Sequence, residues 1–151
     1  MFMTHLSLPC ISFGITALLA GSAVTLVRPA AGRRPAIISA LVSLLAFALA
    51  ALEVHHQHGA RLLDAWVPWL EADALDAVPM VFFASLTLVL ITLAPRRDAG
   101  GSALSGMLLL AAATEIAYAA SNLITLATGW WLTAVPFAFR FFGNPPARRV
   151  V

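Results

Sequence analysis

Two groups of residues in this sequence have the types and spacing to do chemistry. The first is Glu115, the sole acidic side chain in the apolar stretch from Ala103 to Phe142, where Arg140 is the only other charge. An ionised side chain at the middle of a bilayer costs roughly 2.5–3.5 kcal/mol even on insertion scales, which makes such a residue a functional candidate by default. A carboxyl here can carry a proton, or pair with an arginine of another chain. It can also sit neutral against Thr114, Tyr118 or a neighbouring helix, because burial favours the uncharged acid. The second group is "EVHHQHG" at 53–59, where His55, His56 and His58 stand close to Glu53. Imidazole and carboxylate are zinc and copper donors, but such sites are usually closed from two separated elements. A short run at one helix end reads first as a solvated cap. No nucleophile–base pair, cofactor motif or haem attachment sequence accompanies these residues, which points away from an independent enzyme and implies no cofactor. Cys10 is the single cysteine and excludes a disulfide within one chain.

The elements that must hold these residues are set by composition. Of 151 residues, 61% are hydrophobic and 11% charged, against roughly a quarter charged in ordinary soluble domains. The fold class implied is all-α, an integral membrane protein. About 20 apolar residues cross a bilayer as a helix, and the chain offers spans at 8–27, 36–52 and 78–94. The stretch 103–142 would reach roughly 60 Å as one helix, twice the hydrocarbon thickness. It must break, and Ser121–Asn122 is the natural place, since both residue types favour N-caps over helix interiors. Spans at 103–120 and 122–142 make five in one membrane domain, 1–151.

Charge orients the spans. Arg28, Arg33 and Arg34 lie in one connection, Arg96 and Arg97 in another, and Arg148 and Arg149 in the tail. The connection 53–77 carries Glu53, Asp64, Glu71, Asp73 and Asp76 against one arginine, Arg61. Five spans bring every arginine-rich segment to one side, which is cytoplasmic by the positive-inside rule, leaving the N-terminus outside. Four would split the tail from its fellows. "MFMTHLSLPC" has no basic residue before the apolar run, so it reads as a retained first helix rather than a signal peptide. The acidic connection reads as extended or partly stranded, with Trp66 and Trp69 suited to a membrane interface. The arginines sit in pairs at the ends of apolar runs, a pattern for anionic lipid head groups and not for nucleic acid. Arg140 can snorkel to the surface.

The fourth span, "SALSGMLLLAAATEIAYAAS", is rich in small residues, among them Ser105, Gly106, Ala113 and Ala117. Small side chains let helix backbones approach closely in lipid. These positions are expected to pack against other helices or to form an interface.

Two stretches together resemble a known layout. "WLEADALDAVPMVFFASLTLVLITLAP" is similar to the third-helix region of the antiporter-like subunits of respiratory complex I and of their Mrp antiporter and inorganic-carbon-transporter relatives. There an Asp-Gly-Leu-Ser or Asp-Ala-Leu-Ser element precedes a long apolar helix; Asp73, Ala74 and Leu75 match it, with Asp76 in place of Ser. "NLITLATGWWLTAVPFAFRFFG" resembles the fifth helix of those subunits through Asn122, Leu123, Trp130, Leu132, Thr133, Pro136 and Gly143. An N-terminus outside and a fifth helix ending in the cytoplasm match that layout, and Pro136 is expected to kink the helix. The resemblance implies a working glutamate at position 131, paired with a lysine two helices later, and here Trp131 replaces it. Tryptophan has no proton to transfer, and the lysine-bearing helix would lie beyond residue 151. The expectation is a truncated antiporter-like subunit of a bacterial-type inner membrane. It would be accessory or structural in a larger NADH-quinone-oxidoreductase-like, proton- or ion-translocating complex, with other membrane subunits and the lipid bilayer as partners. The rival expectations are a small metal-handling or sensory membrane protein using His55, His56 and His58, and a homo-oligomeric transporter using Glu115.

Overall fold

From Cys10 to Val27 no side chain is charged, and the polar ones are Cys, Ser and Thr. A run of this kind surrounded by apolar groups satisfies its own backbone only by coiling. The same logic repeats along the chain. The structure, a computed structural model, describes residues 9–28, 33–58, 61–95 and 100–143, with side chains through 138. Its helices are α1 (Cys10–Val27), α2 (Arg34–His56), α3 (Ala74–Leu93), α4 (Gly101–Tyr118) and α5 (Leu123–Gly143). Length and composition make α1 to α4 sufficient to cross a membrane, and α5 is apolar from Leu123 to Ala138.

Helix ends depart from the expected ones where polar residues extend a helix beyond its apolar part. α2 begins at Arg34 with Pro35 in its first turn and continues to His56, because proline is tolerated at that position and Glu and His do not break a helix. "EVHH" is therefore a last helical turn and not a loop. α3 starts at Ala74, ahead of the expected Val78. Asp73 caps it, Oδ1 accepting the N–H groups of Leu75 at 2.7 Å and Asp76 at 3.1 Å. Asn122 caps α5 through Oδ1, which accepts the Thr125 N–H at 2.9 Å. The long apolar stretch breaks at the expected Ser-Asn pair.

Helices α1, α2, α3 and α4 close a ring in chain order, with α1 against α4, while α5 folds back on the outside of α4. Successive helices run antiparallel. Gly14 of α1 meets the Phe47 ring of α2. Ser22 Oγ of α1 donates to the Ser105 carbonyl of α4 at 3.0 Å, and Arg33 at the start of α2 donates to Thr92 O at the end of α3. The ring interior is built of small residues, including Ala36, Ala40, Ala50, Ala84, Ala111 and Ala112, around Phe47, Leu104 and Leu108. Large apolar side chains such as Leu45, Leu49, Phe82, Leu90 and Trp131 point outward. Small inside and large apolar outside is the distribution expected where lipid, not water, is the surrounding medium.

At the end of the ring away from Arg33, the 61–73 connection forms a short antiparallel pair. β1 (Leu62–Leu63) opposes β2 (Glu71–Ala72) in the register Leu62↔Ala72 and Leu63↔Glu71. A further bridge joins Leu70 to Ala120, after α4. The acidic connection is thus partly stranded, as its sequence suggests.

Candidate functional site at the hairpin end

The ring-facing side of α4 is the row Leu104, Leu108, Ala111, Ala112, Glu115 and Ala119, all buried. Glu115 has zero exposure, and neither carboxyl oxygen has a hydrogen-bond partner among the described residues. It stands three residues before the helix end at Tyr118, about 4.5 Å of rise, so it lies near one end of the bundle and not at mid-depth. The neighbours expected to receive it are otherwise engaged. Thr114 Oγ1 donates to the Leu110 carbonyl at 2.9 Å, and Tyr118 stacks on Phe83 with centroids 5.3 Å apart. One turn beyond Glu115, the Ala119 carbonyl accepts the Glu71 N–H at 2.8 Å, and the Ser121 N–H donates to Trp69 O at 3.1 Å. The hairpin is tied to the end of α4 directly above Glu115. An unpaired ion in such a position carries an effective penalty of several kcal/mol.

Asp64 fastens the hairpin on its other side. The residue that caps the start of α1 is Pro9, which has no side-chain acceptor, so the N–H groups of the first turn need partners from elsewhere. Asp64, only 4% exposed, supplies one. Its Oδ2 accepts the Ser12 N–H at 2.8 Å, and its Oδ1 accepts the Ser12 hydroxyl at 2.8 Å. Oδ1 also takes the N–H groups of Trp66 at 2.9 Å and Val67 at 3.1 Å, shaping the turn that follows. In the 53–77 connection Asp64 is one acidic residue among five, and nothing local marks its long-range role. Asp73 behaves differently: the Asp76 and Leu75 N–H groups hold its carboxyl below the usual carboxylate range.

Between α1, the hairpin and the α4–α5 junction lies an open groove of about 570 Å³, lined by Ser12, Thr16, Trp69, Ile116, Asn122 and Thr128 among others. Ile116 is in its lining and Glu115 is not. The groove is apolar with hydroxyls on its walls, and it reaches the hairpin end of the bundle.

The histidines do not converge with this site. His55 and His56 are exposed on the last turn of α2 with ring centroids 6.3 Å apart. His58 takes a left-handed backbone at φ 57° beyond the helix end. Among the described residues no three His, Cys, Asp or Glu side chains are grouped to hold a metal.

All four small residues singled out on α4 make contacts inside the chain. Ser105 bonds Ser22 of α1, and Gly106 faces Pro136 of α5. Ala113 and Ala117 present backbone to Gly129 of α5, where an added Cβ would lie 2.8 Å from Ala117 N and 3.1 Å from Ala113 O. Gly129 is a packing residue that the sequence marks only as a glycine within an apolar span, opposite a span with alanines four apart. Pro136 lies within continuous helix, where it leaves the Leu132 carbonyl without its usual donor. Trp130 and Trp131 are 74% and 79% exposed. The position where the resemblance expects a glutamate thus faces away from the ring. At the opposite end Arg33 donates to the Thr92 and Ala94 carbonyls, completing the last turn of α3. Arg96, Arg97, Arg148 and Arg149 and the side chain of Arg140 lie outside the described residues.

No family model, curated protein or solved structure matches the chain.

Proposed function

We propose that the chain is a membrane-spanning helical subunit of the antiporter-like kind, accessory or structural in a larger proton- or ion-translocating complex of a bacterial-type plasma membrane. The observation that carries the reading is the free outer face of α5. That helix rests on α4, and Leu123, Ile124, Trp130 and Trp131 stand exposed along it. In the subunits that the sequence resembles, position 131 holds a glutamate that pairs with a lysine two helices later. Here the corresponding side chain is turned outward, toward where further helices would stand. The small residues of α4 are consumed by contacts within the chain, and α5, which packs chiefly on α4, offers its outer face to a neighbour. Tryptophan can pack and cannot transfer a proton, so the contribution of this face is assembly. Two arginines bound for head groups, Arg28 and Arg34, mark the opposite end from the acidic hairpin, which supports insertion with the arginine end cytoplasmic.

The test is extraction of the tagged chain from its native membranes in mild detergent, followed by native electrophoresis and mass spectrometry. Co-migration with larger membrane subunits is expected, and it should weaken when Trp131→Asp introduces a charge on the outer face of α5. A chain that migrates alone, at its own size, sinks the subunit reading.

A further inference from the structure

We propose that Glu115 is a proton-binding site, a neutral carboxylic acid whose proton exchanges with the hairpin side of the membrane. The proposal does not depend on any partner subunit, since it concerns the ring formed by this chain alone.

Three observations converge on it. Glu115 is wholly buried with both oxygens unpartnered among the described residues, so no cation or donor there would hold it ionised. The titratable groups on the surrounding elements do not reach it. Cys10 on α1, Glu53 on α2, Asp76 on α3, Tyr118 on α4, and Asp64 and Glu71 in the hairpin connection make no hydrogen bond to either oxygen. The described side chains of α5 include no acid, base or histidine. A carboxyl in these surroundings has one low-energy form, the protonated one. Second, its position is shallow. It is one turn below Ala119, whose carbonyl is held by Glu71. Third, a groove open to the surface lies at this end of the bundle, lined by the neighbouring Ile116 though not by Glu115 itself. It carries the hydroxyl oxygens of Ser12, Thr16, Thr125 and Thr128, which donate within the chain and can still accept from water. The hairpin, fastened by Asp64 and by the Glu71–Ala119 bond, covers this end. The proposed exchange requires the hairpin to open far enough to admit water to the acid.

The experiment uses the full chain in lipid nanodiscs at neutral pH. Infrared spectroscopy should show the carbonyl stretch of a protonated carboxyl, absent from Glu115→Gln, and this band should shift to its deuterated position in heavy water within minutes. Dicyclohexylcarbodiimide, which adds to a protonated carboxyl from the apolar phase, should modify Glu115 in the unaltered chain, as located by peptide mass spectrometry. This second readout needs no variant, so it stands even if Glu115→Gln fails to fold. Absence of carbodiimide addition at Glu115 overturns the proposal. So does a protonated band that survives prolonged heavy water unshifted, which would describe a sealed structural acid.

Discussion

Asp73 shows how much one side chain can set. Its carboxylate caps α3 and is held below the usual carboxylate range by the backbone N–H groups of Asp76 and then of Leu75. A carboxyl whose folded-state pKa lies below its unfolded value stabilises the fold above the unfolded pKa, near 4, and the contribution is lost as pH falls through the folded value. Replacing Asp73 with Asn keeps a capping acceptor but removes the charge. The thermal midpoint of Asp73→Asn in detergent should therefore lie below that of the unaltered chain at pH 7, and the gap should narrow as pH falls below about 4. A constant gap across that range would mean that the charge plays no part. Asn122 was legible as a cap because residue type and position suffice to recognise one. Asp64 was not legible, because its partner Ser12 is 52 residues away and only the folded chain brings the two together. Glu115 was visible as a lone acid in an apolar run, while its depth and its lack of partners were not.

At the scale of elements, α4 is the member on which the others depend. One side faces the ring through Leu104, Leu108 and Glu115, and another meets α5 through Ala113 and Ala117. Gly129 brings the two backbones together, and a methyl group there would collide with main-chain atoms that cannot rotate away. Overpacking of this kind costs typically about 1–3 kcal/mol. Gly129→Ala should lower the thermal midpoint and open α5 to limited proteolysis before the ring unfolds. Gly106→Ala, whose added Cβ would be 3.7 Å from Pro136, should be near neutral in the same assay. Equal effects from the two substitutions would contradict this account of the α4–α5 contact. The number of helices and the break at Ser121–Asn122 were readable from apolar run length and capping chemistry. The exact starts of α2 and α3 were not, since hydropathy follows side-chain polarity and a helix continues through Arg34, Glu53, Asp76 and His56 regardless.

For the molecule as a whole, the two ends differ in kind. One carries Arg28, Arg33 and Arg34, and the other carries Asp64, Glu71, Asp73 and Asp76. The expected orientation places the arginine end in the cytoplasm. A green fluorescent protein fused at the C-terminus should then fluoresce, and alkaline phosphatase fused there should be inactive. The reverse pair of results would invert the topology and with it the side from which Glu115 exchanges its proton. The alternation of charge between connections made this polarity readable, because it depends on which loop a residue occupies and not on any contact. The ring order, with α1 beside α4 and α5 outside, is a matter of side-chain fit and left no trace in the apolar pattern.

The bond between Ser12 and Asp64 also has a consequence in time. A chain made from its N-terminus outward produces α1 long before Asp64 exists, so the first turn of α1 forms before the acceptor of its Ser12 amide has been made. Only after α2 has followed can the hairpin segment return to the same end and close that turn. The start of the first helix is thus among the later parts of the bundle to be completed during synthesis. An insertion intermediate halted within α2 should have α1 in place with its outer end still unfinished.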